Sequence, residues 1–227
     1  MKLTIAIDGP AGAGKSTIAK ILAKNFNIMY INTGSMYRAI TLKALEQNIP
    51  SGEIEELCRL TDSLDMYFQN DRLILNGEDI NDKLSLPEIS SKVSHYASIP
   101  EIRVRLVKLQ REMASKFDVV MDGRDIGTVV LKDAAFKFFL TASPEERAQR
   151  RFDELKRKGL DVNYEEILKE IIRRDFLDSN REVDPLRKAE DAIEIDTTGL
   201  NINEVVNKMS SYINKTLENI FMGDINE

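Results

Sequence analysis

The sequence predicts an α/β fold built on a parallel sheet, and three observations lead there. Five short, apolar, β-branched segments recur along the 227 residues, and runs of that length read as strands covered on both faces. Helical patterns separate them, which favours a parallel sheet over a meander. The first segment enters a glycine-rich loop that leads straight into a helix.

Taken in order, the first strand is Leu3–Asp8, followed by the glycine loop and a helix, and the second is Ile28–Asn32. About eighty residues then precede the third strand, too many for a loop. They open with a helix over Ser35–Asn48 and continue as strand-like pieces at Leu64–Phe68, Arg72–Leu75 and Glu78–Ile80. Asn70-Asp71 and Asn76-Gly77 between those pieces are good hairpin turns, so the stretch reads as an inserted α+β subdomain. Ser98 and Glu101 have capping-box spacing, with Pro100 in the first turn and apolar Ile102, Leu106, Leu109 and Met113 behind them. The third strand is Asp118–Asp122 and the fourth Phe136–Leu140. Ser143-Pro144-Glu145-Glu146 starts the next helix, and Asn163 with Glu166 and Asn201 with Glu204 give weaker starts. Leu155–Arg181 is charged, arginine-rich and interrupted by Gly159, as a mobile helical flap would be. Ala192–Asp196 is the fifth strand, and a last helix carries Val205, Val206, Met209, Ile213 and Leu217 toward the core.

Composition excludes several classes. The net charge of −6 is not that of a general nucleic-acid binder. Apolar runs fall short of the ~18 residues of a membrane helix, and no signal-peptide pattern precedes the first strand, so a cytoplasmic protein is expected. With one cysteine, Cys58, and one histidine, neither an internal disulfide nor a soft-metal site is expected. Cys58 reads as a small core residue.

Gly9 to Ser16 fits G-x-x-x-x-G-K-S/T in the strand–loop–helix context that gives the pattern its meaning. Backbone N–H groups of Gly9, Pro10, Ala11, Gly12, Ala13, Gly14, Lys15, Ser16 and Thr17, proline excepted, would curl round phosphate oxygens at a helix N-terminus. Lys15 would supply a cation at the β- and γ-phosphates and the Ser16 hydroxyl a Mg²⁺ ligand. No N-K-x-D guanine motif accompanies the loop, and the third strand ends in Asp122-Gly123-Arg124-Asp125 rather than an acidic pair, so hydrolysis-driven switches and motors fit poorly. If the γ-phosphoryl group goes to a second ligand, arginines at strand ends and on the flap should neutralise it. Three places qualify: Thr33, Tyr37 and Arg38 after the second strand; Arg124 and Asp125 after the third; and Arg174, Asp178 and Arg181, which share one helix face. Each has a plainer reading. Tyr37 and Arg38 suit a helix surface, Arg124 a local ion pair, and the flap residues an i,i+4 salt bridge worth ~0.3–0.5 kcal/mol.

The stretches Ile5–Thr17, Thr33–Arg38, Val93–Arg103, Val120–Val130, Ser143–Arg151, Arg173–Leu186 and Ala192–Gly199, taken together and in order, resemble the bacterial cytidylate kinase family of adenylate-kinase-like nucleoside monophosphate kinases. The resemblance implies a three-layer P-loop NTPase core with a five-stranded parallel sheet (residues 1–35, 93–154 and 182–227), an inserted α+β monophosphate-binding subdomain (36–92) and a helical lid (155–181). It implies ATP as donor, CMP or dCMP as acceptor, Mg²⁺, and a monomer with no nucleic-acid or membrane partner. Carried over by position, Lys15, Arg124, Arg174 and Arg181 become the catalytic cations. Thr33, Tyr37 and Arg38 would line the acceptor site, with Ser94, Arg103 and Asp125 reading cytosine and Asp178 holding the sugar hydroxyls. Asp122 would join Ser16 in placing Mg²⁺. From spacing alone, Ser94 and Arg103 would be a helix cap and a surface arginine. The family usually has Asp where this chain has Asn32, which loses a charge but keeps an acceptor. Arg147, Arg150 and Arg151 open one helix, and any one of them could cover the adenine or the triphosphate. The alternatives are a kinase of another acceptor such as UMP, or a nucleotide-binding switch that does not turn over.

Overall fold

The structure, a computed structural model, describes residues 2–223. From the N-terminus, β1 (Thr4–Asp8) leads to α1 (Lys15–Phe26) and β2 (Met29–Asn32) to α2 (Thr33–Glu46). The insert follows as α3 (Ile54–Ser63), β3 (Met66–Gln69), β4 (Arg72–Leu75), β5 (Glu78–Asp79), α4 (Asn81–Leu84) and α5 (Pro87–Ala97). Then come α6 (Pro100–Lys116), β6 (Val119–Gly123), a π-helical turn (Ile126–Val130), β7 (Phe136–Thr141), α7 (Pro144–Arg157), α8 (Tyr164–Asn180), β8 (Ile193–Asp196) and α9 (Ile202–Gly223).

All five expected core strands form, in one parallel sheet of order β2-β6-β1-β7-β8. Alternation along each strand divides the core between two faces. Ile5, Ile7, Tyr30, Val120, Phe136 and Phe138 pack with α1 and with Val205, Val206, Met209 and Ile213 of α9. Ala6, Ile31, Val119 and Met121 face the other way, onto α2 and α6, and that cluster continues into the insert through Leu57, Phe68, Leu73 and Leu75. The insert therefore shares its core with one face of the sheet. Its three antiparallel strands turn at Asn70, Asp71, Asn76 and Gly77, all at positive φ as the hairpin residues anticipate.

Ser143, Asn163 and Asn201 cap their helices as read; Asn201 and Glu204 exchange both bonds of a capping box. Ser98 does not cap α6. It closes α5 instead, its hydroxyl donating to His95 O, and Ile99 precedes Pro100 without a side-chain cap. Two helices abut here with only Ser98 and Ile99 between them, so the Ser98 side chain serves the helix it ends. Cys58 is half-buried on α3 rather than enclosed in the core.

Register sets up the site. Asn32 lies beside Asp122, and Asp8 beside Gly123, so the carboxyl ends of β2, β6 and β1 form one row.

Candidate active site

Gly9 leaves β1 with φ +144°, and a Cβ there would stand 1.9 Å from Leu140 O, so no other residue lets the loop lie against β7. Gly14, also at positive φ, starts α1 with no capping side chain and no acidic residue in its first turn, which leaves that helix end open to an anion. Lys15 is buried and spans the loop, Nζ donating to Pro10 O at 2.6 Å. Burial, then the nearby Arg124, hold its ammonium well below the usual lysine range.

Beside the loop, Asp122 accepts from Ser16 Oγ at 2.8 Å and from Tyr30 OH at 2.7 Å. Asn32 Nδ2 donates to both hydroxyls, at 3.2 Å and 2.9 Å, and its Oδ1 accepts from Ser35 N, capping α2. Because the amide donates, each hydroxyl proton is committed to Asp122. Burial and the Asp122 charge push the Tyr30 phenol up. Ser16 and Asp122 are hard oxygen donors at the foot of the loop. Among the described residues no cluster of three His, Cys, Asp or Glu side chains could hold a metal ion. Two hard oxygens, from Ser16 and Asp122, are a donor set that suits Mg²⁺, which takes one or two protein oxygens and completes its shell from phosphate and water.

The residues singled out for a second ligand surround the same cleft, about 1000 Å³ in volume. Ala11, Gly12, Lys15, Ser16, Thr33, Tyr37, Arg38, Ser94, Asp122, Arg124, Asp125, Arg174, Asp178 and Arg181 all line it. Gly9, Pro10, Ala13, Gly14 and Thr17 do not; they shape the loop from behind or at its side. Thr33 Oγ1 donates to Asp122 O at 2.8 Å. Arg38 is braced on the insert, donating to Leu84 O at 2.9 Å and Ser90 Oγ at 2.8 Å. Burial, then Arg174, Arg151 and Arg124, push its guanidinium down to about 9. Arg124 donates to Asp178 at 2.7 Å. Arg174, one turn away on α8, has a buried Nε with no partner, and burial with Arg124 pushes it down too.

Arg103 lies one layer behind the cleft wall, 1% exposed and 5.6 Å from the Tyr37 ring centre. It donates to Asp125, to Asp184 at 3.1 Å and to Ala97 O at 3.1 Å. It is therefore no surface arginine. Arg181 donates to Asp184 O and lies 3.4 Å from the other oxygen of Asp125.

The three arginines of α7 separate cleanly. Arg147 is buried, donating to Ala142 O, to the loop carbonyl of Ala11 at 3.0 Å and to both oxygens of Asp175 at 3.0 and 2.6 Å. Arg150 is bound to Thr197. Arg151 alone of the three faces the cleft, beside Glu154. Helix α8 also touches α5, Arg173 donating to Ser91 O at 3.0 Å.

Sequence reasoning missed Asp8, Tyr30, Asp175 and Asp184. Asp8 accepts from Ile126 N and Gly127 N, both at 2.7 Å, and so ties the turn after Arg124-Asp125 to the strand that feeds the loop. Its position at the strand end was the only local signal.

A P-loop on a parallel α/β core, facing a second cation-lined wall across one cleft, defines a phosphoryl-transferring kinase. A family model described as cytidylate kinase matches residues 5–215. The cytidylate kinase of Clostridium perfringens strain SM101 is 70% identical over 213 residues, covering 94% of this chain and 98% of its own. That of Clostridium acetobutylicum is 60% identical over 217 residues, 96% of this chain and all of the relative. The chain belongs to the cytidylate kinase family. A solved structure of an uncharacterized Eubacterium ventriosum protein, 18% identical with a TM-score of 0.53 over 95% of this chain and 99% of that one, shares the fold alone.

Proposed function

We propose that this enzyme transfers the γ-phosphoryl group of ATP to CMP and dCMP, with Mg²⁺, acting as a cytoplasmic monomer on nucleotides rather than nucleic acids or membranes. No helix among the described residues is long and apolar enough to cross a membrane. The observation that carries the reading is the convergence of Lys15, Arg38, Arg124 and Arg174 on one cleft between the phosphate loop and the Asp125 wall.

The acceptor is a phosphate, already anionic at neutral pH, so no general base is required. The protein's task is alignment and charge. Lys15 and the loop N–H groups hold the donor phosphates. Arg38, braced on the insert, holds the acceptor phosphate, and Arg124 and Arg174 meet the charge on the group in transit. An acceptor oxygen bonds to the γ-phosphorus as its bond to the β-bridging oxygen breaks, leaving ADP. Ser16 and Asp122 would hold Mg²⁺, which when bound neutralises charge on the β- and γ-phosphates. Lid contacts from α8 keep water out, so that ATP is not hydrolysed.

Base choice follows from donors and acceptors. The cytosine amino group finds acceptors in Asp125 and Ser94 on the cleft wall, and N3 and O2 would find donors in the two N–H groups that Arg103 leaves unused if the base reaches the layer behind that wall. Uracil reverses two of these roles. Asp178 holds the sugar hydroxyls.

The test is ADP formation from ATP and Mg²⁺ with CMP, dCMP, UMP, AMP and GMP supplied separately. Activity confined to CMP and dCMP is expected. Preference for UMP would reassign the acceptor, and ATP binding with no phosphorylated product from any of them would return the chain to the switch reading.

A further inference from the structure

Asp184 falls within the Arg173–Leu186 stretch but has no role assigned so far, yet it joins two of the arginines of the acceptor site. Its carboxylate accepts from Arg103 Nε at 3.1 Å, and its main-chain oxygen accepts from Arg181. It does so at φ +51°, a left-handed conformation uncommon outside glycine, and immediately before Pro185, which restricts the preceding residue further. Backbone held in a sparsely populated region persists only where surrounding contacts determine it, and it concentrates at functional sites.

The geometry points to Asp184 as a positioning residue for base recognition, the anchor that holds Arg103 in register with Asp125. Arg103 has five N–H groups. Asp125, Asp184 and Ala97 O take one each, which fixes the guanidinium plane and leaves two in a set direction. Of these three anchors, Ala97 O is neutral and Asp125 is itself needed at the base. Without Asp184 the guanidinium keeps only Asp125 and Ala97 O, and Asp125, which also lies near Arg181, holds a less firmly fixed partner.

This inference rests on the proposed base-reading role of Arg103 and Asp125, and the test separates the two. Asp184→Gly removes the carboxylate but keeps the main-chain oxygen and suits positive φ, so the loop is expected to fold. Asp184→Asn keeps left-handed tolerance and a neutral acceptor. With steady-state kinetics in CMP, UMP and ATP, Asp184→Gly should raise KM for CMP roughly tenfold and narrow the CMP-over-UMP preference by a similar factor, the loss of one charged hydrogen bond. Turnover at saturating CMP and KM for ATP should stay near the parent values, and Asp184→Asn should recover part of the loss. If Arg103→Ala raises KM for CMP but both Asp184 variants match the parent, Asp184 is no anchor. If Arg103→Ala also leaves KM and preference unchanged, the base site itself is misassigned and the inference falls with it.

Discussion

Arg174→Ala should move stability and activity in opposite directions. Among the described residues no carboxylate lies within salt-bridge range of Arg174, and its Nε is buried without a partner. Its charge is the first of three cationic causes, after burial, that push the Arg38 guanidinium down to about 9. Relieving one such like-charge contact, ~1 kcal/mol, should raise the ligand-free Tm by ~2–4 °C for a chain of this size. The cleft is open, so truncation leaves no sealed void to offset the gain. Turnover should fall by ~10³ or more, the range for an arginine that meets the transferring phosphoryl group, while CMP binding survives in part through Arg38. Thermal unfolding without ligand and ADP formation at saturating ATP and CMP, on one preparation, test both halves. Unchanged turnover would take Arg174 out of the transition state, and a lower ligand-free Tm would refute the account of repulsion in the cleft.

Two further perturbations probe the supports of the site. The Asp8 carboxyl is pushed up from 3.8 to about 7 by burial. Its folded value is the higher one, so its contribution to stability is complete below about pH 3.8 and is lost as pH rises through about 7, ~4 kcal/mol in all. Asp8→Asn should flatten the fall of Tm between about pH 4 and 7; an unchanged slope would assign that fall to another group. Arg147→Ala leaves Asp175 and two carbonyls without their donors, and should lower unfolding free energy in urea by ~3 kcal/mol, with Arg147→Lys recovering only part because it lacks the fork. A loss below ~1 kcal/mol would mean the loop and the lid helix are not joined through this side chain.

The core strands were legible because a sheet buried on both faces writes apolar runs into the sequence, and the insert's hairpins because Asn70-Asp71 and Asn76-Gly77 accept positive φ. Local pattern fails where one residue could serve either of two helices, as Ser98 does. It fails again for groups whose meaning lies in a distant partner. Tyr30 reads as an apolar strand position until its hydroxyl meets Asp122, 92 residues away. Arg147 and Asp175 are 28 residues apart, and Arg103 and Asp184 are 81. Neither separation has a helical or strand period, so spacing could offer Arg103 only a surface.

The arginines of this acidic chain divide by what stands behind them. Arg124 is paired with Asp178, Arg103 with Asp125 and Asp184, and Arg147 with Asp175, so their charges are balanced before any nucleotide arrives. Among the described residues, Lys15, Arg38 and Arg174 line the cleft without a carboxylate in salt-bridge range, and all three are held below their usual proton affinity. They come from the loop, the start of the insert and the lid helix respectively. Bringing these three elements together therefore costs repulsion in the empty enzyme, and anionic phosphate from both ligands removes it. The balanced cations hold their geometry whether or not phosphate is present. Unbalanced ones make closure conditional on it, which is the condition under which a kinase spares ATP from water.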